Sequence, residues 1–226
     1  MEKLHVICHV HSLDHPAVFK IVNTLVINNS RFTGEKIVTI SKSSRELEVF
    51  NIVKKIFEKL NYTIFEVENA EYREASHFFN TSLPYLLSKT SDGILLYCHS
   101  KGVSYHPDSD DGKATSLWTD VLIDNVITKP IIFEKKHSTW GSCITKTKNF
   151  LPEDIGEKFC FIGTFWWIRV EKLVDANIVP HSKFHLEGLP GLVCNLIEAK
   201  NYGPEFKPNE SPYQLSSWKA KGYDIR

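Results

Sequence analysis

Over its first hundred residues the chain switches repeatedly between two hydrophobic periods, and this alternation constrains the fold more than any other feature. Residues 4–10 (Leu-His-Val-Ile-Cys-His-Val) read as a strand. Asp14 is placed to cap a helix that begins near Pro16, a residue tolerated in a first helical turn, with Val18, Val22, Leu25 and Val26 as its apolar positions. Residues 36–41 predict a second strand. Ser43 and Glu46 then have capping-box spacing, and Leu47, Phe50, Val53, Phe57 and Leu60 follow at helical intervals. Residues 62–67 predict a third strand. Residues 71–89 predict an amphipathic helix through Tyr72, Ala75, Phe79, Leu83 and Leu86, kinked or broken at Pro84. A fourth strand is expected over 93–98. Strands that alternate with helices pair in parallel, because the helix supplies the crossover. The expected class is therefore α/β, with a Rossmann-like sheet covered by helices on both faces.

The second half changes character. Residues 103–114 read as a polar loop, and 115–127 as a helix with Trp118, Leu122 and Val126 on one face. Strands are expected over 139–145 and 159–168, and a short helix near 190–199. The tail from Asn201, rich in Pro, Gly and Asn, is expected to wrap the surface. No internal repeat, low-complexity segment or linker interrupts the chain, so one domain over 1–226 is the economical expectation.

Charge and cysteine content exclude several classes. Lys and Arg total 27 and so do Asp and Glu, which argues against a nucleic-acid groove driven by bulk charge but leaves room for a local basic pocket. The five cysteines are scattered, odd in number and form no Cys-x-x-Cys pair, so buried thiols in a reducing compartment are expected, and with them a cytoplasmic location. No stretch approaches the roughly 20 apolar residues of a membrane helix, so no transmembrane segment is expected. Phosphate-loop, Gly-x-Ser-x-Gly and Gly-x-Gly-x-x-Gly motifs are absent, which weighs against NTPase, hydrolase and dinucleotide readings.

Five places carry candidate chemistry. The fourth strand ends abruptly in His99, Ser100, Lys101 and Gly102. Ligands of open α/β sheets bind at that edge, and a cation beside a glycine suits a phosphorylated ligand. A polar strand exit with no ligand is the plain alternative. Asp108 and Asp110 form an Asp-x-Asp that can grip a divalent cation, Mn2+ or Mg2+, although an isolated pair of this kind is more often a solvated loop. In Gly163-Thr164-Phe165-Trp166-Trp167, adjacent tryptophans on a strand point to opposite faces, so that one can be core and the other line a cleft. Two core rings is the alternative. His9, His11 and Ser12 can line the carboxyl edge of the first strand, where a nucleotide base could lie. His5, His9, His11 and His15 lack the companions of a zinc site. Glu187 precedes a Gly/Pro turn and is either a cleft base or a helix-start residue, with Glu198, Asp175 and Asp154 as weaker rivals.

Three motifs occur in one order: Leu96-Tyr97-Cys98-His99-Ser100-Lys101-Gly102-Val103, then Trp118 within residues 117–122, then Gly163 to Trp167. Together they resemble the pattern Tyr-x-His-Thr-Lys-Gly-Val, a downstream Trp, and Gly-Asn-Phe-Trp-Trp-Ala. That pattern belongs to small nucleotide-sugar-dependent glycosyltransferases of the GT-A type, found in bacterial polysaccharide clusters and large chlorella viruses, some of the rhamnosyl or glucosyl type. The match is dense over 93–170, topological over 1–92 and thin after 175. It implies a GT-A-like mixed, mainly parallel sheet, with a nucleotide-sugar half over about 1–102 and an acceptor half over about 103–226. It also implies a donor that is UDP- or dTDP-linked, with UDP favoured, and a glycan hydroxyl as acceptor.

The same resemblance puts His99, Ser100, Lys101 and Gly102 beside the diphosphate or donor sugar. It puts Gly163, Thr164, Phe165, Trp166 and Trp167 around the sugar and acceptor, and Glu187 as the base. Ser100 and Thr164 stand where the family more often has Thr and Asn. His99-Ser100-Lys101 occupies the usual place of the GT-A Asp-x-Asp. Either Asp108 and Asp110 supply a displaced metal site, which is the favoured expectation, or Lys101 and nearby histidines stabilise the leaving diphosphate without metal. A non-catalytic carbohydrate- or nucleotide-binding module is the alternative function, and an interaction protein with exposed aromatics is a further one.

Overall fold

The computed structural model describes residues 2–42, 46–68, 74–145, 159–174, 176, 184–206 and 210–223. Nine strands are described: β1 (Leu4–His11), β2 (Lys36–Lys42), β3 (Thr63–Glu68), β4 (Ile94–His99), β5 (Thr139–Gly141), β6 (Ile144–Thr145), β7 (Cys160–Phe161), β8 (Trp166–Arg169) and β9 (Ala199–Asn201). The helices are α1 (Pro16–Ile27), α2 (Leu47–Lys59), α3 (Glu74–His77), α4 (Leu83–Lys89), α5 (Asp110–Leu122), α6 (Glu171–Val174), α7 (Phe184–Val193) and α8 (Leu215–Ala220).

Seven strands form one sheet in the order β3-β2-β1-β4-β8-β5-β9, while β6 and β7 pair separately. β3, β2, β1 and β4 run parallel, and β8 is the reversed strand, antiparallel to both β4 and β5. The fold is thus a mixed, mainly parallel α/β sheet of the GT-A-like Rossmann type. Its first three strands step outward from β1, after which the chain returns to lay β4 on the other side of β1. That reversal makes the carboxyl ends of β1 and β4 the topological switch point, the edge where ligands of such sheets bind.

Alternate residues of each strand feed two cores. Val6, Cys8 and Val10 of β1 and Leu96 and Cys98 of β4 join α1, α2 and α5 on one face. Ile7, Leu95 and Tyr97 join α4, α7 and the turn at Phe78–Phe79 on the other. Burial on both faces explains why β1 and β4 read as nearly continuous apolar runs.

Local chemistry departs from expectation at several ends. The cap of α1 is His15, whose Nδ1 accepts from the Ala17 amide at 3.2 Å, rather than Asp14. Glu46 is itself the N-cap residue of α2 and makes no side-chain cap bond there; its carboxylate instead accepts from the Asp14 amide. Ser43 lies outside the described residues, as do Asp154 and Asp175. The expected helix over 71–89 contains a π-helical turn at Phe78–Ser82, and Pro84 opens the regular segment α4 beyond it. α5 begins inside the expected polar loop, because the Ser109 hydroxyl accepts from the Gly112 amide at 3.0 Å and caps it. The strand expected over 159–168 is two strands, parted by a turn in which Gly163 has φ +99° and Thr164 φ +62°. The tail does not only wrap the surface: Trp218 of α8 is fully buried in the core. All five cysteines are buried and unpaired.

Candidate functional site

The switch-point edge carries His9 and His11 at the end of β1 and Ser12 just beyond it. Ser41, at the end of β2, reaches the same cluster: its hydroxyl lies 3.0 Å from His11 Nδ1 and 3.5 Å from His9 Nε2, and its carbonyl accepts from the Ser12 hydroxyl at 2.5 Å. The His9 ring meets His11 edge-on with centroids 4.7 Å apart and stacks on His77 at 6.0 Å. Ser100 closes the seam between the two strands. Its hydroxyl accepts from the His11 amide at 2.9 Å, and its own amide donates to the His9 carbonyl at 3.0 Å. The expected base-side residues and the exit of β4 therefore share one edge.

A second cluster adjoins this one, built on the turn between β7 and β8. His99 Nε2 lies 3.2 Å from the Gly163 carbonyl, so the proton sits on Nε2, because a carbonyl only accepts. The Glu187 carboxylate, in the first turn of α7, receives the Gly163 amide at 3.3 Å and the Thr164 hydroxyl at 3.4 Å on the same oxygen, Oε1. Lys101 Nζ stands 3.8 Å from that oxygen, with the two side chains 10% and 17% exposed. At that separation the contact is an ion pair rather than a hydrogen bond. Lys101 Nζ also lies 4.2 Å from the centre of the Trp118 ring and 5.8 Å from that of Tyr213. The ammonium is thus held by one carboxylate and two aromatic rings.

Two glycines are required by this architecture. Gly163 has φ +99°, and a Cβ there would meet Leu122 Cδ1 at 2.7 Å and Trp118 Cζ2 at 2.9 Å. Gly102, at φ +92°, lets the chain turn against Thr115 of α5, whose Cγ2 would lie 2.8 Å from an added Cβ.

The structure corrects the part given to the aromatic pair. Trp166 and Trp167 do point to opposite faces, but both are fully buried, as is Phe165, so none of the three lines an open cleft. Their indole N–H groups are spent internally: Trp166 donates to the Leu186 carbonyl at 3.1 Å and Trp167 to the Val126 carbonyl at 2.7 Å. Trp166 thereby fastens α7 at the residue beside Glu187.

The expected cation site lies at the surface. Asp108 and Asp110 are exposed in and before the first turn of α5, where the helix dipole favours acidic residues whatever their other role. Asp108 is 91% exposed, with His106 Nδ1 at 4.0 Å. Among the described residues no three His, Cys, Asp or Glu side chains gather as a metal site. Nor does Cys160 offer a nucleophile, since burial, followed by the charge of Glu187, pushes its thiol up to about 12.

Reasoning from the sequence missed Ser41, Tyr105 and Tyr213. The edge rule that pointed to Ser12 applies equally to Ser41 at the end of β2. Nothing in the sequence marks Tyr213.

No protein-family profile matches the chain, and no curated protein matches it. Solved structures do. A UDP complex of glucosyl-3-phosphoglycerate synthase from Mycobacterium tuberculosis superposes with TM-score 0.50 at 11% identity, over 93% of this chain and 73% of that one. A mannosyltransferase from Pyrobaculum calidifontis, in complex with GDP-Man and Mn2+, gives 0.48 at 12% identity, over 90% and 55%. A 4-diphosphocytidyl-2C-methyl-D-erythritol synthase gives 0.43 at 9%, over 98% and 97%. At 11% identity, the likeness to the first of these shows a shared fold and no more. Among the described residues no helix is long and apolar enough to cross a membrane.

Proposed function

We propose that the chain is a glycosyltransferase that moves a sugar from a nucleotide diphosphate donor, UDP-linked by first expectation, to a hydroxyl of a glycan. The main support is the Lys101–Glu187 pair at the switch point of a GT-A-like sheet, a fixed cation and a carboxylate 3.8 Å apart in a mostly buried setting. The base and ribose of the donor would lie along His9, His11, Ser12 and Ser41. The diphosphate would lie against Ser100 and Lys101, and the acceptor near the turn of Gly163 and Thr164.

In an inverting transfer the acceptor oxygen bonds to the anomeric carbon while the bond from that carbon to the diphosphate oxygen breaks. The electron pair leaves on the diphosphate, where the Lys101 ammonium stabilises the growing charge. Glu187 takes the proton of the attacking hydroxyl. The diphosphate competes with Glu187 for Lys101, so its arrival loosens the ion pair and leaves the carboxylate open to the acceptor. The solvent-facing Asp108 and Asp110 enter no step of this scheme.

The test is calorimetric titration with UDP, GDP and dTDP, each with and without Mn2+, followed by hydrolysis of the corresponding nucleotide sugars. One nucleotide should bind, and Lys101→Met should weaken it by roughly tenfold or more, as expected for a lost hydrogen bond to a charged group. Absence of binding to all three would sink the proposal. Binding of a nucleotide sugar with neither hydrolysis nor transfer would favour a non-catalytic binding module.

A further inference from the structure

We infer that Tyr213, carried by the segment that follows the sheet, is a positioning residue for Lys101, forming with Trp118 an aromatic cage that aims the ammonium at the donor diphosphate. The inference rests on the donor-site reading above and adds the C-terminal segment to that site.

A lysine ammonium rides on four carbons and loses substantial rotamer freedom when it is fixed. One carboxylate at 3.8 Å cannot hold Lys101 once a diphosphate competes for it. The two rings can, because a cation is attracted to an aromatic face without being neutralised by it. The ammonium lies 4.2 Å from the centre of the Trp118 ring and 5.8 Å from that of Tyr213. The rings meet each other at 90° with centroids 5.2 Å apart, and the Tyr105 ring packs against Tyr213 at 5.6 Å.

Tyr213 is itself held by a built anchor. Trp218, fully buried, donates its indole N–H to the Pro212 carbonyl at 2.7 Å and packs against Phe206 and Tyr223 at 5.2 and 5.3 Å. Lys221 pairs with Glu210 at 2.7 Å and ties the two ends of the segment together. The short helix α8 thus fixes the residue that precedes Tyr213, although Tyr213 is 36% exposed and contributes little core of its own.

The experiment titrates UDP and uridine into the unaltered chain and into Tyr213→Phe, Tyr213→Leu and Tyr213→Ala. Cation–π contacts of this degree of burial predict that UDP affinity falls about tenfold in the Ala and Leu variants and stays within about threefold of the parent in the Phe variant. Uridine affinity should be unchanged in all of them. Leu matching the parent would mean that bulk alone matters and would overturn the cage. Parallel losses of UDP and uridine would make Tyr213 a general structural prop and overturn it equally. Unchanged UDP affinity in Tyr213→Ala, with the parent binding normally, refutes this inference alone. Failure of the unaltered chain to bind UDP, GDP or dTDP refutes the donor site and the cage together.

Discussion

Replacing Gly163 with alanine should be costly, and the size of the cost follows from the turn itself. Gly163 has φ +99°, where an L-residue pays about 1–2 kcal/mol, and the new Cβ would lie 2.7 Å from Leu122 Cδ1 and 2.9 Å from Trp118 Cζ2. Both neighbours are fully buried, so neither yields easily, and overpacking of this kind costs about 1–3 kcal/mol. The sum is about 2–5 kcal/mol. Urea unfolding followed by fluorescence reads it directly; with a slope near 2–3 kcal/mol per molar, the midpoint should fall by about 1–2 M. The neighbouring position should move the other way. Thr164 sits at φ +62°, which is strained for a β-branched side chain and tolerated by asparagine. Thr164→Asn, the residue usual in the resembling family, should therefore gain about 1 kcal/mol, less the weak 3.4 Å bond from its hydroxyl to Glu187. A Gly163→Ala midpoint within error of the parent, or a Thr164→Asn variant that is clearly weaker, would refute the assignment of a left-handed turn at this point.

Three other outcomes are expected. Trp166→Ala and Trp167→Ala should each cost about 3–5 kcal/mol in the same urea assay, because both rings are fully buried; a near-neutral result for either would restore that ring to a cleft. Asp108→Asn with Asp110→Asn should leave nucleotide affinity within about twofold and cost at most about 0.3–1 kcal/mol per residue from the helix dipole; loss of Mn2+-dependent nucleotide binding would return the pair to the site. Acid unfolding should carry a component from Glu198. Burial would raise its carboxyl, but the Lys172 ammonium, the Asn195 amide and the Ser138 hydroxyl hold it at about 2. The folded value lies below the ordinary 4.5, so its stabilisation is complete above about pH 4.5 and is lost as pH falls toward 2. Glu198→Gln should flatten the stability profile in that window, and an unchanged profile would count against the clamp.

The first half of the fold was legible because each element carries its own period. β1 and β4 are apolar runs that end in polar residues, and α2 repeats Leu47, Phe50, Val53 and Phe57 at helical spacing. Caps were less legible, because capping-box spacing also occurs by chance. The Glu46 that spacing put inside a helix instead starts one and bonds to the Asp14 amide. The second half hid its interruptions: residues 159–168 read as one strand, and only the positive φ values at Gly163 and Thr164 reveal two. The edge containing His99, Ser100 and Lys101 was legible from the abrupt change in polarity. The partnership of Lys101 with Tyr213 was not, since it depends on where Trp218 anchors a distant segment.

The adjacent tryptophans show why a sheet of this kind defeats a simple inward-and-outward rule. On an antiparallel sheet with one wet face, alternate side chains would divide between core and cleft. Here helices cover both faces, so alternation divides Trp166 and Trp167 between two cores instead. Only residues at or beyond the carboxyl ends of the strands can then face a ligand, which is why the candidate chemistry falls on Ser12, Ser41, Ser100, Lys101 and the turn at Gly163. An aromatic inside such a strand still reaches the site, but through its polar edge. The Trp166 indole N–H holds the Leu186 carbonyl at 3.1 Å, and the next residue, Glu187, holds Lys101. Trp166→Phe should on this account keep most of the buried area yet lower sugar transfer more than UDP affinity, because it frees the carboxylate-bearing turn while leaving the cation in place.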